Sequence, residues 1–368
     1  MNKILTILIM LGLLNTNKAA DLRDSFLVDG VYRNYILHVP TNYTTTQNYP
    51  LVLNLHGYTS NADQQQLYTQ MNTTADANDF LVVYPNGIAN YWNAFGAGAD
   101  DVKFLDSLIE RIKRSHKIDT RCIYSCGMSN GGFMSYTLAC QLSHKIAAIA
   151  SVTGVLSNSS QQNCALSHKM PVMQIHGTAD PTVNYQTGVA NAMGVEQTLN
   201  FWIDTNNCVL NQDTINVPNT NTTDGCTAQL IRYRQCDALS EVYFYKIVGG
   251  GHTWPGAFPI AAGPTNGDFS ASTEIWNFFK RHKLALSTGV EDIKQQTQVA
   301  IYPVPFDNTL KIDLTKHDTK DLKIKDISGR IIYESKSYSQ ILEITTTEWS
   351  KGVYTVLIDG STQRVVKF

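Results

Sequence analysis

Residues 121–140 read RCIYSCGMSNGGFMSYTLAC. The stretch opens as a short apolar strand, RCIYSC, and closes as a helix, GGFMSYTLAC. Between the two lies a G-x-S-x-G: Gly127, Ser129 and Gly131. A sharp strand-to-helix turn strains its central residue and crowds strand against helix, and flanking glycines permit both. A serine raised on such a turn also meets the free N–H groups of the helix N-terminus. A serine hydroxyl is a poor nucleophile until a base takes its proton. The meaning of Ser129 therefore depends on what the rest of the chain can bring to it.

Upstream, YRNYILHVP (32–40), YPLVLNLHG (49–57) and FLVVYPNG (80–87) read as strands. DDVKFLDSLIERIKRSHKID (100–119) reads as an amphipathic helix with Phe104, Leu105, Leu108, Ile109 and Ile112 along one stripe. Downstream, KIAAIASVTG, MPVMQIHG and EVYFYKIVGG are further short apolar runs. A last helix carries Ile275, Trp276, Phe278 and Phe279 and runs into Lys280, Arg281, His282 and Lys283, cations that suit a helix C-terminus. Near-continuous apolar strands alternating with helices point to an α/β domain with a mostly parallel sheet, here an α/β-hydrolase fold. The Asn- and Thr-rich segment 205–224 reads as a surface insertion.

On that fold the nucleophile, acid and base follow in that order along the chain. PVMQIHGTADPTV supplies Asp180 just past a strand, and YKIVGGGHTWPG supplies His252 in a glycine-rich loop after another. Active-site loops gather at the C-terminal ends of parallel strands. His176 is the competing base and is read as supporting the acid loop; Asp204 and Asp237 are weaker candidates for the acid. An oxyanion hole needs the N–H after the nucleophile, here Asn130, and a second from the loop after an early strand. His56-Gly57 ends such a strand, and the Tyr58 N–H is the expected second donor. His56, Gly57, Trp92 and Trp254 are expected to line the substrate pocket, although tryptophans near these loops are also natural core residues. The chemistry needs no metal and no cofactor, and no zinc or P-loop pattern occurs.

The chain has 368 residues and a net charge of -2, which offers no electrostatic footprint for nucleic acid. Residues 1–20, MNKILTILIMLGLLNTNKAA, have the pattern of a secretory signal peptide, and the apolar run is too short to span a bilayer. The mature chain is thus expected to be exported and to have no membrane span. Seven cysteines fit an oxidising compartment, and the odd number leaves at least one outside any intrachain pair. Cys122 and Cys126, four residues apart on one strand, are about 13 Å apart. A disulfide needs Cα atoms within about 7 Å, so these two cannot pair. Cys140 with Cys164 and Cys208 with Cys236 are the preferred pairs, with connectivity left open by the sequence.

Beyond residue 289 the character changes. LKIDL, LKIKDISGRIIY, ILEITTTEW, GVYTVLIDG and RVVKF alternate apolar and polar residues and are punctuated by Ser328-Gly329 and Asp359-Gly360. Residues 290–368 are expected to be a small all-β sandwich following a catalytic domain over 21–289.

Seven blocks in order resemble the secreted polyhydroxybutyrate depolymerase and feruloyl esterase group, which overlaps carbohydrate esterase family one: DGVYRNYILHVP, LVLNLHGYTSN, VVYPNG, DDVKFLDSLIERI, IDTRCIYSCGMSNGGFMSYTLAC, IHGTAD and GGGHTWPG. The resemblance implies Ser129 as nucleophile, Asp180 as acid, His252 as base, and 56–58 as the oxyanion loop. It favours the pairs Cys140–Cys164 and Cys208–Cys236. Cys122 and Cys126 depart from the group's pattern. IYPVPFDNTLKIDL, LKIKDISGRIIY and KGVYTVLIDGSTQRVVKF resemble the type A sorting domain of the type IX secretion system, with Val304 where Asn is usual. That resemblance implies the secretion machinery as a partner and a surface or extracellular destination. The function implied is an ester hydrolase, feruloyl or acetylxylan esterase first, with a polyhydroxyalkanoate depolymerase as rival. A peptidase on the same scaffold stands further off for want of a large gating domain, and a non-catalytic binding protein does so because all three candidate catalytic residues are present.

Overall fold

The computed structural model describes residues 19–210, 212–285, 300–313, 321–336, 341–358 and 361–368. The chain divides into two compact units, Met1–Leu286 and Ser287–Phe368. The leader, apart from Ala19 and Ala20, and the domain boundary expected at residue 289 lie outside the described residues.

The first unit begins with β1 (Ala20–Val28), β2 (Val31–Val39), β3 (Tyr49–Leu55), α1 (Ala62–Thr69), α2 (Met71–Asn78), β4 (Leu81–Pro85), α3 (Asp101–Ser115), β5 (Ile118–Met128) and α4 (Asn130–Gln141). It continues through β6 (Ala148–Val152), α5 (Asn158–Gln162), β7 (Val172–Gly177), α6 (Val195–Thr205), β8 (Asp213–Asn216), β9 (Thr227–Tyr233), β10 (Val242–Val248) and α7 (Ala271–Phe279). All ten strands form one sheet in the order β1-β2-β4-β3-β5-β6-β7-β10-β9-β8. From β4 to β10 neighbouring strands are parallel. The two outer strands at each edge are antiparallel.

Side-chain alternation explains why helices cover both faces of this sheet. On β3, Leu51, Leu53 and Leu55 join one core with Leu108 of α3, Leu138 of α4 and Trp202 of α6. Val52 joins the other with Tyr68 of α1, Met71 of α2 and Trp276 of α7. A strand buried on both faces has no reason to alternate with polar residues, hence the continuous apolar runs. The α3 stripe is buried in full. Asp100 caps that helix by accepting the Lys103 N–H at 2.9 Å. It stops at Ser115, and Ile118 and Asp119, expected in the helix, open β5 instead.

Several elements were not expected from the sequence. The texts of α1 (ADQQQLYT) and α2 (MNTTADAN) carry little apolar periodicity. They are held by the few side chains they bury, among them Tyr68, Met71 and Ala75, so packing rather than pattern makes them helices. The segment 205–224, expected as a plain insertion, contributes the edge strand β8. Disulfides join Cys140 to Cys164 and Cys208 to Cys236. Cys122 and Cys126 share one face of β5 as free buried thiols, and Cys226 is a third.

The second unit contains β11 (Ala300–Tyr302), β12 (Thr309–Asp313), β13 (Asp321–Lys325), β14 (Ile331–Lys336), β15 (Ile341–Thr345), β16 (Gly352–Ile358) and β17 (Ser361–Lys367). These form two antiparallel sheets, β11-β12-β15 and β14-β13-β16-β17. Leu310, Ile312 and Ile344 of the first share a core with Leu322, Ile324, Val356 and Ile358 of the second. That is the small sandwich expected from the alternating text. No helix among the described residues is long and apolar enough to cross a membrane.

At the C-terminal end of β3 the buried His56 ties three loops together. Its Nδ1–H donates to Gly57 O at 2.7 Å, and its Nε2 accepts the Gly87 N–H at 3.0 Å. Its carbonyl accepts the Trp92 indole N–H at 2.9 Å. Burial pushes the imidazole down to about 4, against the hydrogen bond to Gly57, which raises it. The unfolded chain takes up a proton below about 6.5, which folded His56 resists. The stability contributed by neutral His56 is therefore complete above about pH 6.5 and is lost as the pH falls toward 4. In urea titrations the wild type is expected to lose about 2 kcal/mol more between pH 7 and 4.5 than His56→Gln, which cannot titrate. Equal losses would remove His56 as the source.

Candidate active site

Ser129 sits between β5 and α4 with φ 54 and ψ −118, a conformation that costs roughly 1–3 kcal/mol and needs support. Its N–H donates to Val152 O at 2.8 Å, and its carbonyl accepts the Phe133 N–H at 3.0 Å, which starts the helix. The glycines around it are required by space. A Cβ on Gly131 would stand 2.1 Å from the Leu55 carbonyl oxygen, and one on Gly127 would stand 2.6 Å from the Gly131 carbonyl carbon. The turn thus presses directly on the end of β3. The loop after β3 is equally near: a Cβ on Gly57 would lie 3.5 Å from the Ser129 Cβ.

That proximity brings two backbone amides to the serine. Neither the Tyr58 N–H nor the Asn130 N–H has an acceptor among the described residues. The Asn130 side chain is engaged instead with the backbone of Trp92. Its Oδ1 accepts the Trp92 N–H at 2.6 Å, and its Nδ2 donates to Trp92 O at 3.0 Å. The expected pocket roles of His56, Trp92 and Trp254 are corrected here. All three are buried, and none faces the cavity at Ser129. Trp92 packs on His56 and Phe104, while the Trp254 indole donates to Ser272 Oγ at 3.2 Å.

Asp180 and His252 come from loops after the neighbouring parallel strands β7 and β10. A Cβ on Gly177 would meet the Gly250 carbonyl oxygen at 2.1 Å, so the two loops lie backbone to backbone. His252 Nδ1 donates to Asp180 Oδ2 at 2.8 Å. Asp180 Oδ1 accepts the N–H groups of Thr182 and Val183, each at 2.8 Å. His176 Nε2 also approaches Oδ2, at 3.3 Å. Burial pushes the Asp180 carboxyl up, but the bonds and charges of His176 and His252 outweigh it and hold the group well below the usual carboxylate range. A buried carboxylate in this state orients an imidazole and stabilises its protonated form. Asp204 and Asp237 take no part in this arrangement.

Ser129 and His252 line one cavity of about 340 Å³, with Gly57 and Tyr58 on its wall. The volume is in the range of small-molecule sites, roughly 300–1,000 Å³. Most of the remaining wall is apolar: Leu67 and Tyr68 from α1, Met128 from the end of β5, and Phe258 and Ile260 from the loop after His252. Tyr68 and Phe258 meet edge to face at 5.1 Å, and the Tyr68 hydroxyl accepts the Trp254 N–H at 3.2 Å. Sequence reasoning missed these side chains. Met128 was within reach, as the residue between Gly127 and the serine; the others carry no motif. No group of three or more His, Cys, Asp or Glu among the described residues is placed to hold a metal.

Residues 33–195 match the family model described as esterase PHB depolymerase, and residues 300–368 match the secretion system C-terminal sorting domain. A bifunctional acetylxylan esterase/xylanase of Neocallimastix patriciarum is 31% identical over 252 residues, covering 68% of this chain and 33% of that protein. Feruloyl esterase D of Neurospora crassa is 25% identical over 266 residues, covering 69% of this chain and 83% of its own. Against three curated relatives the chain spans only 33, 47 and 42% of their length. Among solved structures, a Bacteroides ovatus protein provisionally called dipeptidyl aminopeptidase IV superposes with a TM-score of 0.50 at 12% identity, over 73% of this chain and 36% of that one. That likeness concerns the fold alone. Residues 33–195 thus resemble the esterase PHB depolymerase family on an α/β-hydrolase fold, and residues 300–368 resemble a secretion-system sorting domain, which directs a chain to the cell surface or the medium.

Proposed function

We propose that this chain is an exported serine hydrolase of carboxylic esters. The observation that carries the reading is a single cavity shared by Ser129, on its strained turn, and by His252, whose other nitrogen is bonded to Asp180 at 2.8 Å. His252 takes the Ser129 proton as the hydroxyl attacks the ester carbonyl. The Tyr58 and Asn130 amides receive the oxyanion, and Asp180 holds the imidazole and balances its charge. The alcohol leaves with the proton from His252, and water repeats the sequence on the acyl-enzyme. The chain is read as a leader over 1–20, a catalytic domain over 21–289 and a sorting domain over 290–368. The type IX secretion machinery is its partner through the last of these.

The substrate is read as a plant-polysaccharide ester, with a hydroxycinnamoyl group preferred to acetyl. An acetyl group leaves most of a 340 Å³ cavity empty, whereas Tyr68 and Phe258 offer aromatic surface to a planar acyl group. The family match and the apolar residues around the mouth favour a hydroxyalkanoate oligomer as the second reading.

Hydrolysis of methyl ferulate, acetylated xylan and a hydroxybutyrate oligomer by the full chain ranks these readings. Ser129→Ala is expected to lower kcat about 10⁵-fold or more on whichever ester is preferred. A folded wild type that cleaves none of them, nor nitrophenyl acetate, returns the chain to the binding-protein reading. Phe258→Ala is expected to reduce the ferulate-to-acetate ratio of kcat/KM about fivefold, the worth of roughly 1 kcal/mol of aromatic contact. An unchanged ratio would move the acyl group to another wall.

A further inference from the structure

A file of buried polar groups runs behind the acid. Tyr136, on the helix that Ser129 begins, donates its hydroxyl to Gln174 Oε1 at 2.5 Å. Gln174 Nε2 donates to Gly154 O at 2.8 Å and to His176 Nδ1 at 3.0 Å. Gln174 and His176 are two apart on β7 and so lie on one face of the strand. The Tyr136 hydroxyl and the Gly154 carbonyl fix which end of the Gln174 amide is which. His176 Nδ1 must then accept, and the ring proton sits on Nε2. From there it reaches Val183 O at 2.9 Å and Asp180 Oδ2 at 3.3 Å. Tyr136, Gln174 and His176 are all fully buried.

We propose that His176 is a positioning residue for Asp180: its Nε2–H, locked in that tautomer by Gln174, aims the carboxylate oxygen that orients His252. The proposal rests on the catalytic reading of Ser129, Asp180 and His252. One oxygen, Oδ2, is then shared by two histidines, and only His252 borders the cavity at the serine. Oδ1 is fixed by the amides of Thr182 and Val183, which belong to the same turn as Asp180. Those two bonds set the turn's own shape, but they do not tie the turn to the sheet. His176 adds a side-chain tie, because it stands in β7, bonds the Val183 carbonyl at 2.9 Å and lies 3.3 Å from the carboxylate. Without His176 the buried Oδ2 keeps one close donor instead of two and the carboxylate loses its nearest side chain on β7, so it is freer to shift relative to His252.

The test compares the full chain with His176→Leu, His176→Gln and Ser129→Ala on the preferred ester. His176→Leu is expected to lower kcat about tenfold or more with KM within about twofold, because misplacement of a catalytic group costs rate before binding. His176→Gln carries an N–H that can reach Asp180 and is expected to recover most of the rate. The low-field proton resonance of the His252–Asp180 hydrogen bond is expected to shift or vanish in His176→Leu and to return in His176→Gln. A folded His176→Leu with wild-type kcat, equal losses in the two variants, or a loss confined to KM would overturn the proposal. Should His176→Leu not fold, nitrogen NMR of the histidine-labelled wild type at pH 8 decides. An Nε2–H tautomer at His176 is expected there, and an Nδ1–H tautomer would break the bond to Asp180 and overturn the idea. Ser129→Ala keeps the two readings apart. If it stays active, the catalytic reading falls; if it is dead while His176→Leu keeps the wild-type kcat, only the positioning role falls.

Discussion

The Leu55 carbonyl oxygen occupies the place where any side chain on residue 131 would have to go. Much of the first unit's geometry follows from this contact. It brings the end of β3, the turn after β5 and the first turn of α4 into van der Waals contact through backbone alone. Side chains adapt by changing rotamer, but crowded backbones do not, so the position of Ser129 is set by the sheet rather than by its own flexible surroundings. The strain at φ 54 is held by the hydrogen bonds of Ser129 at both its N–H and its carbonyl. Asn130 then extends the block outward. Its side chain is spent on the Trp92 backbone, which fixes the loop after β4 and leaves the Asn130 amide free.

A second constraint is the charge on Asp180. An unpaired buried charge costs several kcal/mol, and hydrogen bonds to charged groups return about 1.5–3 kcal/mol each. Asp180 receives two backbone amides and two imidazoles. The sum favours the ionised form, in keeping with the direction in which its titration is displaced. Three of these donors come from two loops locked backbone to backbone at Gly177 and Gly250 and the fourth, His176, from the end of β7, so Asp180 and His252 are also positioned as one block. Two rigid blocks meet across the cavity, each anchored in different parallel strands of one sheet.

This division explains what the sequence could and could not disclose. Residues in the blocks were legible because backbone geometry restricts their type: glycine where a Cβ has no room, and Asp or His where a loop leaves a strand end. The order of Ser129, Asp180 and His252 along the chain carried the rest. Proximity in sequence was a poor guide to the pocket. Trp92 and Trp254 lie beside the right loops, yet each offers some 150–250 Å² of surface to bury, and both turn inward. His56 was assigned to the pocket for its place in the loop, whereas its two nitrogens are spent on backbone groups. The helices α1 and α2 escaped notice because their apolar residues are few and become decisive only once the sheet exists to receive them.

On the proposed reading, the walls that distinguish one ester from another come from those less legible parts. Tyr58, Leu67 and Phe258 stand at the mouth with 64, 66 and 46% of their surface exposed. Large apolar side chains grouped in the open mark a binding surface more often than an accident of packing. Among them Leu67 sits on α1 and Phe258 on the loop 255–270, and neither contributes to the contacts that hold Ser129, Asp180 or His252. On that reading, substitution there is expected to alter what the cavity accepts without disturbing Ser129, Asp180 or His252. Relatives named for different esters match this chain, and on the proposed reading the choice of ester lies in side chains that no motif constrains.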